Sequence, residues 1–172
     1  MSNPIHKTMK LINEFEARFG LCLGIEEVCF HKNDHVAYFY PKKRRITLPQ
    51  KARGQRLKEF VHHEIGHALL VNYKVPRELI ELFDFVCPKV EEKYAQKMMD
   101  QDEPAPASWV SWYAMTNPVE DFCETLSAWA SNDYKITQSW QFGGFSFSPS
   151  KDITIRKKVE EVQNLLKFLE LR

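Results

Sequence analysis

Val61-His62-His63-Glu64-Ile65-Gly66-His67-Ala68-Leu69-Leu70 is the stretch on which the reading of this chain turns. It contains His63-Glu64-x-x-His67, and the spacing has a mechanical meaning. Residues four apart on an α-helix share a face, so both imidazoles reach one metal ion. Glu64 sits beside them, where a carboxylate takes a proton from a metal-activated water. Gln55 to Tyr73 contains no proline, and Leu57, Phe60, Val61, Ile65, Ala68 and Leu69 form an apolar stripe at helical spacing. Two ligands and a base in so apolar a helix are costly to bury unless they are used. The bland alternative is a pair of core histidines with ordinary hydrogen-bond partners. His62 lies about a hundred degrees around the helix from His63. It is expected at the surface or behind the ligands, not on the same metal.

A length of 172 residues suits a single domain, residues 1–172, with one core. The apolar fraction of 44% and charged fraction of 27% are those of a globular protein. A net charge of +1 gives no global pull toward nucleic acid or a membrane, and no apolar run is long enough to span a bilayer. The first residues lack the apolar core of a signal peptide. Cys22, Cys29, Cys87 and Cys123 form no C-x-x-C pair, and they are expected as reduced thiols in a cytoplasmic protein.

Outward from the central stretch, Pro4 to Phe19 reads as a packing helix stopped by Gly20. Leu21-Cys22-Leu23, Val28-Cys29-Phe30, Val36 to Tyr40 and Ile46-Thr47-Leu48 read as strands. Pro41-Lys42-Lys43-Arg44-Arg45 reads as a charged, solvated turn between the last two. The strand just before the metal helix is expected at a sheet edge, open to an extended peptide. Downstream, Arg77 to Val86 and Lys89 to Gln101 read as helices, the second polar and exposed, followed by a Pro-rich loop at 102–107. Ser131 to Pro149 is turn-rich, and Phe142 to Phe147 reads as a flap or as a loop pinned by its phenylalanines. Asp152 to Leu171 closes the chain as an amphipathic helix.

A catalytic zinc site needs a third protein ligand. All six histidines lie at or before position 67, so the third ligand is a downstream carboxylate, His31 or His35 upstream, or a cysteine. Leu70 and Tyr73 stand where metzincins carry Gly and His, which excludes that class. Asn117-Pro118 is a helix start, and Glu120 and Glu124 then share one face. One suits the metal, and the other suits the far nitrogen of a ligating histidine. Asn117 with Glu120 is equally a capping box, in which Glu120 reaches back to a backbone amide. Trp109, Val110, Trp112 and Tyr113 form an aromatic cluster of the kind that packs a core.

With these residues in view, the chain resembles the gluzincins, zinc peptidases with H-E-x-x-H on one helix and a glutamate ligand on a later one. Thermolysin-like members follow that glutamate, four residues on, with an acidic residue that orients the first histidine; Glu120 and Glu124 match. The catalytic domain of anthrax lethal factor has a tyrosine seven residues before its glutamate ligand, as Tyr113 stands to Glu120. Small bacterial and phage-type proteins with H-E-x-x-H carry a segment similar to Tyr113 to Glu124, usually with alanine where this chain has Cys123. That thiol either packs silently or makes the site sensitive to oxidation. The resemblance spans Phe60 to Ala128. It implies a zincin-like α+β domain with a small mixed sheet ahead of the metal helix. It also implies Zn2+ on His63, His67 and Glu120, with Glu124 behind His63, Glu64 as general base, Tyr113 donating to the oxyanion, and a protein or peptide as substrate. A zinc hydrolase of non-peptide bonds and a zinc-stabilised binding module without turnover are the other readings, the latter marked by a metal that contributes folding energy outright.

Overall fold

The computed structural model describes residues 3–32, 36–82, 90–101, 103–106, 108–148 and 151–171. Helix α1 (Pro4–Phe19) starts where the Asn3 side chain accepts from the Ile5 N–H at 2.9 Å. It ends at Gly20, whose φ of 62° supplies the left-handed turn. Leu21-Cys22-Leu23 is irregular rather than a strand. Leu21 and Leu23 are buried, but the Cys22 N–H goes to the Tyr73 hydroxyl at 2.9 Å and the Leu23 N–H to Glu16 at 2.7 Å. Side chains therefore take the amides that a neighbouring strand would have taken.

Strands β1 (Glu27–His31), β2 (Tyr38–Tyr40) and β3 (Arg45–Pro49) form a mixed sheet in the order β1-β3-β2. β1 runs parallel to β3 and β2 antiparallel to it. The charged run is a turn, as expected, a 3-10 piece at Pro41–Lys43 with Arg44 left-handed. Arg44 pairs with Glu26, and Arg45 with Glu27 at 3.5 Å. The strand just before the metal helix is not an edge. β3 takes partners on both sides, which buries Ile46 and Leu48 completely and leaves β1 and β2 as the two edges.

Helix α2 (Gly54–Asn72) carries the H-E-x-x-H stretch and packs most closely on α5 (Pro118–Ser131). α5 begins at Asn117, which accepts from the Glu120 N–H at 3.0 Å, with Pro118 in its first turn. Between them lie α3 (Arg77–Leu82) and α4 (Glu92–Asp100). Cys87 and the expected end of α3 at Val86 fall outside the described residues. α4 is not simply an exposed helix. Ala95 is fully buried, and Glu92, Gln96 and Met99 line a cleft, because spacings of four and seven place them on one face.

Strands β4 (Trp140–Phe142) and β5 (Phe145–Phe147) pair as a hairpin where the sequence suggests a flap or loop. Gly143 and Gly144, with φ of 58° and 88°, make its two-residue turn. The hairpin is bolted down by side-chain amides. Asn132 accepts from the Gln141 N–H at 2.9 Å and donates to the Gln141 carbonyl at 3.1 Å, which also accepts from Gln55 at 3.0 Å. Helix α6 (Ile153–Glu170) starts at Asp152, which accepts from the Thr154 and Ile155 amides. It buries Ile155, Val159, Val162, Leu166 and Leu169 on the face its period predicts. Sheet and helices share one cluster of buried apolar side chains, so the architecture is α+β. Among the described residues no helix is long and apolar enough to cross a membrane.

Candidate metal centre

The helical spacing of α2 brings His63 Nε2 and His67 Nε2 to 3.1 Å from each other. α5 then delivers the carboxylate. Glu120 Oε2 lies 3.3 Å from His63 Nε2 and 3.4 Å from His67 Nε2. The capping alternative is only half realised. Asn117 caps the Glu120 amide, but the Glu120 side chain turns inward to the imidazoles instead of back along its own helix. The three side chains are 12, 25 and 13% exposed for His63, His67 and Glu120, so the cluster is mostly dry but reachable from solvent. Among the described residues it is the one group of three or more His, Cys, Asp or Glu side chains able to hold a metal ion. His31 is not part of it, since its Nε2 is bonded to the Val36 carbonyl at 2.9 Å. His35 lies outside the described residues.

Neighbouring carboxylates set the protonation of the cluster. His63 Nδ1 lies 2.6 Å from Glu124 Oε1, and a carboxylate there accepts, so the ring proton sits on Nδ1. The Nε2 lone pair is thereby aimed at the other two donors. Burial resists charge on His63, but the carboxylates of Glu120 and Glu124 beside the ring, and the charge of Glu64, outweigh it and lift its pKa well above the ordinary histidine value. Burial likewise resists charge on Glu120. The two imidazoles against it win and hold its pKa down at about 2. Protons on the imidazoles satisfy the Glu120 carboxylate here; with both rings neutral, two nitrogen lone pairs and a carboxylate oxygen converge on one point, a donor set that suits a divalent ion.

Glu64 is 3% exposed, and its pKa is raised, chiefly by burial, against the pull of the two histidines and a hydrogen bond from the Phe39 amide of β2. Tyr113 opens a 3-10 turn (Tyr113–Met115), and its ring lies 6.0 Å from that of His63. Burial, then the negative charges of Glu120, Glu92, Glu124 and Glu64, push its pKa up, so the phenol keeps its proton. Tyr113 therefore belongs to the site and not only to the aromatic cluster. It lines a cleft with His63, Glu64 and Glu124.

His62 is neither on the surface nor behind the ligands. It is 3% exposed, between Phe15 of α1 and Tyr134, with ring centroids at 6.4 and 6.3 Å. A hundred degrees of helix rotation aims it into the core, and desolvation lowers its pKa to about 4.

Several residues of the centre escape a sequence reading. Asp121, next to Glu120 but on another face of α5, is fully buried and 2.6 Å from Lys158 of α6, itself 4% exposed. This ion pair ties α6 to α5 one residue from Glu120. Nothing in the sequence ties positions 121 and 158. Glu59 and Arg56 also reach the cleft, paired at 3.0 Å. Glu59 is four residues before His63, and helical spacing alone would have placed it on the ligand face. No family model, curated protein or solved structure matches this chain.

Proposed function

We propose that this chain is a zinc-dependent peptidase of gluzincin type on a zincin-like fold, with Zn2+ held by His63, His67 and Glu120. The observation that carries the reading is the triangle of donor atoms with edges of 3.1, 3.3 and 3.4 Å. Ligands about 2.0–2.1 Å from a tetrahedral centre stand about 3.3 Å apart, and two imidazoles with one carboxylate are a zinc donor set. Three protein ligands leave a tetrahedral ion one open position, which a purely structural site would close. The ion supplies Lewis acidity, acidifying water and polarising a carbonyl group.

The remaining work falls to the chain. Glu64, buried beside the triangle, takes the proton of the attacking water and returns it to the departing amine nitrogen. Its raised pKa suits a carboxylate that must first accept a proton and hold it. Glu124 holds the Nδ1 proton of His63 and keeps that ring in the ligating tautomer. Tyr113, protonated at all working pH, donates to the oxyanion that forms on the scissile carbonyl. The Phe39 amide orients Glu64 from the sheet edge.

The test is Glu64→Gln in protein reconstituted with zinc. Full zinc content with peptide hydrolysis reduced by a factor of about 10² or more is the expected result. Undiminished turnover would remove Glu64 from its role. A parent protein that binds zinc, melts far lower on chelation and hydrolyses no peptide would be the binding module instead.

A further inference from the structure

The cleft beside the metal triangle is lined by four carboxylates, one of which has no partner among the described residues. Glu59, Glu64, Glu92 and Glu124 line it against one guanidinium, that of Arg56. Arg56 is already used. Its Nη1 lies 3.0 Å from Glu59, whose side chain is only 6% exposed, and its guanidinium lies over Phe60 at 4.4 Å. Glu124 is bonded to His63, and Glu64 is buried against the triangle. Glu92, exposed in the first turn of α4, has no cationic partner among the described residues. One turn on, Gln96 lines the same cleft, and its amide nitrogen is committed to Asp100 at 2.7 Å, so what it offers a ligand is a carbonyl oxygen. The rest of the lining is largely apolar, with Phe60, Met99 and Phe142 among it.

A largely apolar cleft whose lining also includes an unpaired carboxylate and an acceptor oxygen fits a side chain with a hydrocarbon stem and a cationic head. We infer that the cleft selects peptides carrying lysine or arginine close to the scissile bond, with the stem along Phe60, Met99 and Phe142 and the charge at Glu92. This deepens the peptidase reading and rests on it.

Binding to zinc-loaded Glu64→Gln protein tests the inference without needing turnover. The probes are fluorescent peptides of one neutral scaffold that differ at a single residue, namely lysine, arginine, acetyl-lysine or glutamate. Lysine and arginine peptides should bind about tenfold or more tighter than the other two at low salt, with the margin shrinking as salt rises. Glu92→Lys should erase or invert the preference and leave zinc content unchanged. Equal binding of lysine and acetyl-lysine peptides, preference for glutamate, no binding of any probe, or indifference to Glu92→Lys would each overturn it. A lysine peptide that binds with the stated preference but is never cut by the wild-type zinc protein would keep the cleft's preference for a cationic side chain and refute the peptidase reading.

Discussion

A Cβ placed on Gly66 would stand 2.8 Å from Cys123 Sγ and 3.1 Å from Cys123 Cα. α2 and α5 therefore meet at a point with no room for a methyl group. Gly66 stands next to His67 and Cys123 next to Glu124, so this contact bears on how closely the two ligand-bearing helices approach.

Gly66→Ala should change that approach. In an open helix the change gains about 1 kcal/mol of helix propensity. Here the clash forces the helices apart, and overpacking of this kind costs about 1–3 kcal/mol. Denaturant melts should show net destabilisation, and a chelator competition should show weaker zinc binding. Adding Cys123→Ala should restore only part of the loss, because the α5 backbone at this position still crowds the new methyl group. Cys123 itself is fully buried and its thiol pKa is pushed up, first by burial and then by neighbouring carboxylates. Of the two roles open to it, silent packing is the one the fold supports. A thiol reagent added to folded protein should label exposed Cys22 and spare Cys123, and rapid labelling of Cys123 would contradict this packing.

In the proposed zinc site Glu124 touches a ligand, His63, and is not itself one of the three donors. Glu124→Ala should therefore weaken zinc affinity by about 10–100-fold without removing a ligand, and Glu120→Ala should weaken it further. Glu124→Gln keeps an acceptor oxygen toward Nδ1–H and should recover part of the loss. Equal zinc affinity in Glu124→Ala and the parent would show that the 2.6 Å contact does not serve the site.

Lys158 and Asp121 form a buried pair, and the Lys158 ammonium also donates to the Ser108 carbonyl at 3.0 Å and lies 4.7 Å from the Trp109 ring. Lys158→Met strands a carboxylate in the core and should cost about 3–5 kcal/mol in equilibrium unfolding. The double variant Asp121→Leu, Lys158→Met should be clearly more stable than the single one, because it removes both charges together. A double variant no better than Lys158→Met would mean that packing, not charge, dominates this position.

His62 makes stability depend on acid. Its folded pKa is lowered from 6.5 to about 4, so the neutral ring is the form the fold favours. The contribution is fully present above pH 6.5. As pH falls below that value the unfolded chain takes up a proton that the folded chain declines, and stability drops until the folded ring protonates near pH 4. Between neutral pH and pH 5 the loss is on the order of 2 kcal/mol. In His62→Phe the slope of stability against pH over this window should flatten by about that amount, whatever the packing change does at all pH values. An unchanged slope would mean that the ring already protonates in the fold.

The elements are legible where a residue acts on its own neighbours along the chain. Asn117 announces a helix start, Gly20 a stop, and the 3.6-residue period marks α2 and α6. Leu21 to Leu23 reads as a strand because burial and a strand ladder look alike in an apolar triplet, and the decision rests with the Tyr73 hydroxyl and Glu16. β3 looks like an edge because strand order depends on pairing with β1, which no local pattern encodes.

By itself the sequence determined that His63, Glu64 and His67 share one helix and that Glu120 and Glu124 share another, since helical geometry converts spacing directly into a common face. Whether those two faces meet was decided only by the tertiary structure. Where they meet, Gly66 admits Cys123, Lys158 of α6 holds Asp121 of α5, and α4 and the β4–β5 hairpin help to line the cleft. Each of these joins residues far apart in the chain and is set by packing density and buried charge, and such forces leave no periodic trace in a single sequence.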